Sequence, residues 1–310
     1  RFRCMRSRAT CKTGLMTSSR IWNHLILWRL HPAVISTDNT TSRRSWISYW
    51  FQNIIISSLI ILPPGLVPHS MKDTAVRARC ITGIEGLDSI LGGGIPTGSL
   101  VLVTGVPGVG KTSLALEFAV RGAAMGERSL VLTTVERPEK LIASVPEFDF
   151  FDHRLMERGM LTFLELSDFL NGSSISGRPE TSEDFSKLGE NISKYILEHS
   201  IKRLVIDTYH TIFYGIKDDS IPRDLLLTLS ETMYVKNCTG ILVADANPST
   251  SIESIISDGV IILGNLERRS DLLRTMQVLK MKATCHSRAK YVIDLTTCGV
   301  LVTPLLRGGL

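Results

Sequence analysis

The sequence predicts an α/β fold in which a mainly parallel, twisted sheet carries helices on both faces. Short apolar runs rich in β-branched residues, typical of buried strands, alternate with segments of helical spacing. A glycine-rich loop joins the first clear strand to the first long helix. Carboxylates follow two of the later strands. Chains that alternate strand and helix in this way build parallel sheets covered on both sides.

Composition is that of a globular protein, but the charge is uneven. Of the 310 residues, 44% are hydrophobic and 21% charged, so a substantial core is possible. Residues 1–70 carry a net charge of +8 and the remainder −3, which argues against a nucleic-acid footprint spread over the main part. The six cysteines show no metal-ligand spacing, and scattered thiols are typical of a reducing compartment. We therefore expect a cytoplasmic protein.

The first seventy residues lack sustained helix or strand patterns, and we predict a disordered or non-native extension there. Residues 46–62 form an uncharged stretch that is only marginally long and apolar enough for a bilayer. A membrane or targeting segment and a small genuine domain are the alternatives. The main domain is predicted to occupy residues 71–310.

The glycine-rich loop has the pattern of a phosphate cradle. Ser99 to Thr112 reads SLVLVTGVPGVGKT, which contains G-x-x-x-x-G-K-T between a predicted strand and a predicted helix. Backbone N–H groups of such a loop surround an anion, and the helix that follows directs its positive end at the same point. The alternative is an ordinary glycine-rich turn. The predicted nucleotide-binding residues are Gly105, Val106, Pro107, Gly108, Val109, Gly110, Lys111, Thr112 and Ser113.

Two residues are predicted to hold Mg²⁺ beside this cradle. The first is Thr112, through its hydroxyl. The second is Asp207, which ends the apolar run that starts at Arg203. In phosphate-loop proteins an aspartate at this place holds the metal opposite the loop threonine. A charged residue at a strand tip can also be merely solvated.

Glu136 is the candidate catalytic base, because it directly follows the predicted strand Ser129–Val135. A carboxylate there can orient water against a γ-phosphate. The alternative is a residue that opens the next helix at Pro138. Asn247, after a predicted strand Gly240–Ala246, could likewise sense the γ-phosphate or be an ordinary loop residue.

The C-terminal part predicts strands and a β-hairpin extension. Leu272–Thr284 alternates, and Tyr291–Val302 is typical of a hairpin return. Lys280 and Lys282 lie two residues apart, so in a strand both ammonium groups would point to one face. They could stabilise a γ-phosphate as an arginine finger does, or lie on a solvated face.

Four ordered segments resemble the KaiC-type domain of the RecA-like ATPase superfamily: TGIEGLDSILGGGIPTGS, VTGVPGVGKTSLALEFA, LVIDT and VLKMKATCHS. The resemblance implies a RecA-like fold, ATP and Mg²⁺ as cofactors, and a hexameric ring with ATP between subunits. It also implies that Lys280 and Lys282 reach a neighbour's nucleotide; His286 matches the family pattern, although a structural histidine explains it equally well. Catalytic roles are thus predicted for Glu136, Lys111, Lys280 and Lys282.

The chain departs from the family pattern in two respects. The family often has adjacent glutamates after the second strand, whereas Val135 precedes Glu136 here, which predicts slow turnover. The family's clock protein has two such domains and this sequence shows one, so clock function and autophosphorylation do not carry over. The leading hypothesis is a slowly hydrolysing ring ATPase in regulation or signalling. The alternatives are a DNA-binding recombinase relative and a non-hydrolysing nucleotide sensor.

Overall fold

The computed structural model describes residues 77–144, 148–170, 179–214, 216, 218–245, 251–268 and 271–305. These residues belong to one unit of the chain, Ala75–Leu310. The predictions for residues 1–70, including the segment 46–62, and for Asn247 lie outside the described residues. No helix within the described ranges is long and apolar enough to cross a membrane.

The helices and strands follow the predicted alternation. The strands are β1 (Arg79–Cys80), β2 (Ile95–Pro96), β3 (Leu100–Gly105), β4 (Ser129–Thr133), β5 (Leu161–Glu165), β6 (Arg203–Asp207), β7 (Thr239–Ala244), β8 (Gly259–Arg268), β9 (Asp271–Met281), β10 (Lys290–Thr296) and β11 (Gly299–Pro304). The α-helices are α1 (Leu87–Ile90), α2 (Lys111–Ala124), α3 (Pro138–Ser144), α4 (Arg154–Glu157), α5 (Ser182–Glu198), α6 (Ser220–Lys236) and α7 (Ile252–Ile256).

One large sheet of nine strands is formed by the described residues, in the order β11-β10-β9-β8-β3-β7-β6-β4-β5. The strands from β8 to β5 in this order pair in parallel, and β9, β10 and β11 add on as antiparallel neighbours. The predicted α/β class and the C-terminal hairpin, β10 with β11, are therefore confirmed. Strand β9 ends at Met281, so Lys282 lies just beyond the strand rather than within it as predicted.

The sheet separates two hydrophobic cores. Alternate residues of β3 point to opposite faces: Val101 packs on the side of helix α2, and Leu102 on the side of helices α5 and α6. The other central strands divide in the same way, which explains why they read as continuous apolar runs. Helices thus cover both faces, as predicted.

Candidate nucleotide-binding and catalytic site

Four neighbouring strands of the parallel sheet bring the candidate residues to one edge. In the order β3-β7-β6-β4, their carboxyl ends lead into the glycine-rich loop, Asp245, Asp207 and the segment before Glu136. Thr104 is in register with Ala244, and Asp207 with both Val243 and Thr133. Ligands of open α/β sheets bind at this edge. The register therefore assembles a site from segments that are far apart in the chain.

The glycine-rich loop has the backbone shape that its sequence predicts. Gly105 has φ +152° and lies so close to the carbonyl of Leu263 that a side chain would overlap it. Gly110 has the left-handed φ of +101° and directly precedes helix α2. Leu295 of β10 packs against Gly110. The loop is thus held between the sheet, the helix and the C-terminal hairpin.

Lys111 is the central cation of this site. Its side chain is 8% exposed, and its Nζ lies 2.9 Å from the carbonyl oxygen of Gly105 and 3.0 Å from that of Val106. The third contact is an ion pair of 2.6 Å with Oδ1 of Asp245. The ammonium is therefore directed at the inside of the loop, where an anion would be bound.

Asp207 lies beside Thr112, in the first turn of α2, and both residues line one cavity. Burial raises the pKa of Asp207, and the nearby charges of Glu136 and Asp245 act in the same direction, while Thr112 and Lys111 oppose them. A carboxylate and a hydroxyl side by side are the hard oxygen donors that Mg²⁺ prefers. The two residues fit the predicted metal role by position and chemistry.

Glu136 lies between β4 and α3, and its side chain is 38% exposed. It forms an ion pair of 2.8 Å with Lys140, one helical turn further on. Together with Thr112, Asp207 and Asp245 it lines a cavity of about 680 Å³. The structure therefore brings Glu136 to the same cavity as the predicted metal residues. Its pairing with Lys140 also gives it a local structural role.

The C-terminal basic residues lie elsewhere in the chain's own fold. Nζ of Lys280 contacts the carbonyl oxygens of Ser254 and Ile255 at 2.6 and 3.0 Å. Nζ of Lys282 pairs with Asp258 at 3.0 Å. His286 has its Nδ1 3.2 Å from the carbonyl oxygen of Ser287. Within the described residues, none of the three basic side chains lines the cavity described above.

Asp245 and a network of threonine hydroxyls at the same edge of the sheet were not predicted from the sequence. The hydroxyl of Thr134 lies 2.8 Å from that of Thr211 and accepts the backbone N–H of Thr208 at 3.0 Å. The backbone N–H of Asp245 donates to Nδ1 of His210 at 3.3 Å. Asp245 falls inside the predicted strand Gly240–Ala246, whereas β7 ends at Ala244 and Asp245 directly follows it. The Thr134 network joins the ends of two strands, which no local pattern indicates.

Comparison with known proteins identifies the family of the chain. Residues 80–307 match the family model of the ATPase KaiC. The circadian clock oscillator protein KaiC of Parathermosynechococcus lividus is 30% identical over 231 residues, which are 72% of this chain and 42% of that protein. The UPF0273 protein PH0284 of Pyrococcus horikoshii is 29% identical over 235 residues, 73% of this chain and 94% of that protein.

A solved structure of a KaiC-like protein has a similar fold. The KaiC-like protein PH0186 of Pyrococcus horikoshii superposes with a TM-score of 0.61 at 30% identity, covering 73% of this chain and 99% of that one. The family match spans the sheet, the glycine-rich loop and the C-terminal hairpin. The chain therefore belongs to the KaiC family of ATPases, within the RecA-like phosphate-loop superfamily.

Proposed function

We propose that this chain binds ATP with Mg²⁺ in the cavity beside the glycine-rich loop and hydrolyses it slowly as a subunit of a nucleotide-dependent oligomer. One observation carries the proposal: Lys111, Thr112, Asp207 and Glu136 meet at the carboxyl edge of the parallel sheet. Each has the chemistry that one step of nucleotide hydrolysis needs.

The cradle residues bind and orient the triphosphate. The backbone N–H groups of residues 105–113, except Pro107, which has none, and the start of helix α2 offer positive ends of dipoles to the phosphates. Lys111 adds a charged donor directed into the loop. Thr112 and Asp207 would hold Mg²⁺, which, when bound, neutralises charge that develops on the phosphates. Because all these groups interact with phosphate oxygens, the site favours a polyphosphate ligand.

Glu136 is the proposed base that orients the attacking water. It lines the same cavity as Thr112 and Asp207, and its negative charge contributes to the raised pKa of Asp207. Two features support slow turnover. Val135 occupies the place where related domains often have a second glutamate, and its side chain is 66% exposed. Lys140 engages the carboxylate of Glu136 at 2.8 Å and so competes with water for it.

Oligomerisation is the second part of the proposal. Lys280 and Lys282 are remote from the chain's own cavity, and the family resemblance assigns such lysines to a neighbouring subunit's nucleotide. We infer that this chain forms a ring, hexameric by that resemblance, in which nucleotide state changes contacts with regulatory proteins. The clock activity in the name of the KaiC relative from Parathermosynechococcus lividus is not assigned to this chain, which spans less than half of that protein.

The test is phosphate release under single-turnover and steady-state conditions, with matched nucleotide-binding measurements. We expect slow Mg²⁺-dependent release by the wild type, and unchanged ATP binding with a loss of release for Glu136→Gln. Lys111→Ala should lose binding as well. If Glu136→Gln hydrolyses ATP at the wild-type rate, the catalytic assignment is wrong.

A non-hydrolysing nucleotide sensor is the second candidate, and Val135 together with the Glu136–Lys140 pair favours it. The same experiment separates the two functions. A sensor binds ATP tightly and releases no phosphate over hours. The proposed ATPase releases phosphate slowly, and the release depends on Glu136.

A further inference from the structure

We propose that Asp245 sets the nucleotide affinity of this site by competing with the phosphates for Lys111. The inference rests on the proposed nucleotide binding and adds a residue that the sequence analysis did not identify. Asp245 directly follows β7, the strand between β3 and β6 in the sheet. It is thus placed opposite the loop by the architecture of the sheet rather than by a chance side-chain conformation.

The contacts of Lys111 account for every donor of its ammonium group. A lysine ammonium has three N–H donors. In this structure they meet the carbonyl oxygens of Gly105 and Val106 and the carboxylate of Asp245. The carboxylate contact, at 2.6 Å, is the shortest of the three. A phosphate oxygen that binds Lys111 must therefore displace one of these acceptors.

Asp245 is the acceptor that a phosphate would replace. The two carbonyl oxygens belong to the cradle's own backbone, whose shape is fixed by the glycines and by close contact with Leu263. The Asp245 side chain is 40% exposed and can rotate. A second partner is near, because its Oδ2 lies 3.8 Å from Nε2 of His210. Binding would thus exchange one anion for another on the same cation.

Such competition lowers affinity in a way that depends on the metal. When a binding-competent arrangement is populated only in part, the apparent dissociation constant rises in inverse proportion to that population. Asp245 also adds a third carboxylate to a cavity that already has Glu136 and Asp207, and it is close enough to Asp207 for the two charges to repel. A divalent cation offsets this repulsion of phosphate. The effect of Asp245 should therefore be largest for nucleotide without Mg²⁺.

The test is isothermal titration of Asp245→Asn with a non-hydrolysable ATP analogue, in EDTA and in Mg²⁺. We expect affinity to increase roughly tenfold in EDTA and less in Mg²⁺, since one ion pair competes for the cation. Asp224→Asn, at an exposed position of α6, makes the same change in net charge and should bind as the wild type does. Asp245→Thr should change affinity in the same direction as Asp245→Asn and replaces it if that variant does not fold.

Titration with inorganic pyrophosphate locates the effect. Pyrophosphate lacks the nucleoside, so tighter pyrophosphate binding by the Asp245 variants supports competition within the cradle. Unchanged or weaker binding of both ligands by variants that fold overturns the inference while the proposed function stands. Tightening for the ATP analogue alone also overturns it. If neither the wild type nor the variants bind either ligand, the proposed function fails, and this inference fails with it.

Discussion

The buried carboxylate of Glu117 accepts a hydrogen bond of 2.6 Å from the backbone N–H of Val300, which joins the helix after the glycine-rich loop to the C-terminal hairpin. Glu117 is 1% exposed, and its other oxygen accepts from Nε of Arg121 at 3.0 Å. Gly299 passes so close to this carboxylate that any side chain there would overlap it. Leu295 contacts the start of the same helix at Gly110. The hairpin is thus part of the support of the phosphate cradle.

Removal of the Glu117 carboxylate should destabilise the fold. In Glu117→Ala, the buried N–H of Val300 loses its acceptor, and an unsatisfied buried donor costs about 1–3 kcal/mol. Urea unfolding followed by circular dichroism measures this loss. Glu183→Ala, which removes an exposed carboxylate paired with Lys187 on α5, is the control and should unfold close to the wild type. An equal effect of the two substitutions would contradict the structural role of Glu117.

The same carboxylate should make stability depend on pH. Burial raises the pKa of Glu117, while the Val300 N–H and Arg121 partly oppose the shift. Between the ordinary pKa and the raised one, the folded chain binds this proton more tightly than the unfolded chain does. Its contribution to the unfolding free energy therefore falls as pH rises through that window.

Glu117→Gln removes this titration and keeps an acceptor for Val300. We expect the variant to gain stability relative to the wild type as pH rises from the ordinary glutamate pKa, about 4.3, through the raised one. The measurement is a series of urea unfolding curves across that range. A difference between variant and wild type that is constant with pH, or that moves in the opposite direction, would show that the pKa of Glu117 is not raised.

Arg203 is a second buried charge on which the architecture depends. At the start of β6 it is 0% exposed, and its guanidinium donates to Glu127 at 2.6 Å and to the carbonyls of Phe118 and Ile81 at 2.7 and 2.6 Å. Arg203→Met should cost about 1–3 kcal/mol for each buried carbonyl that it leaves without a donor. Glu127 is 41% exposed, so water can replace the arginine there. The exposed neighbour Arg128, changed to Met, should have little effect. Chemical denaturation of both variants checks this.

The fold could be predicted because the strands of a parallel sheet that is buried on both faces have a recognisable sequence pattern. Runs such as Leu100–Val103 are continuous and apolar, and turn residues bound them. Strand β5 was not predicted, since LTFLE at the edge of the sheet is short and half polar. Lys282 was placed inside a strand because alternation continues past Met281, where pairing ends. Pairing partners, which the sequence does not show, decide such boundaries.

Only those site residues could be predicted whose role is indicated by the sequence immediately around them. The glycine-rich loop and Asp207 carry their signal locally, in a motif and at a strand end. The pairing of Lys111 with Asp245 spans 134 positions and depends on β3 and β7 being neighbours in the sheet. The order of strands is set by how the whole chain winds. A local pattern could therefore identify Lys111 but not the anion that it contacts.

Lys280 and Lys282 are proposed to act on a neighbouring subunit's nucleotide. Their contacts within this chain support a second, structural role. Lys280 donates to two carbonyls at the end of α7, where cations commonly satisfy unpaired acceptors. Lys282 pairs with Asp258, which also accepts the backbone N–H of Leu100 at the start of β3. Loss of activity on removing these lysines is therefore not decisive, because either role would produce it.

Mixing two inactive variants separates the roles. Lys111→Ala lacks the cradle but keeps both lysines, and the double variant Lys280→Ala/Lys282→Ala keeps the cradle. If the lysines act on a neighbour's nucleotide, mixed oligomers contain some sites with both parts intact, and activity should recover to about a quarter of the wild type for random mixing. Phosphate release measured on oligomers isolated by gel filtration is the readout. Mixed oligomers without recovery would show that the lysines act within their own subunit, because each such defect then stays with the chain that carries it.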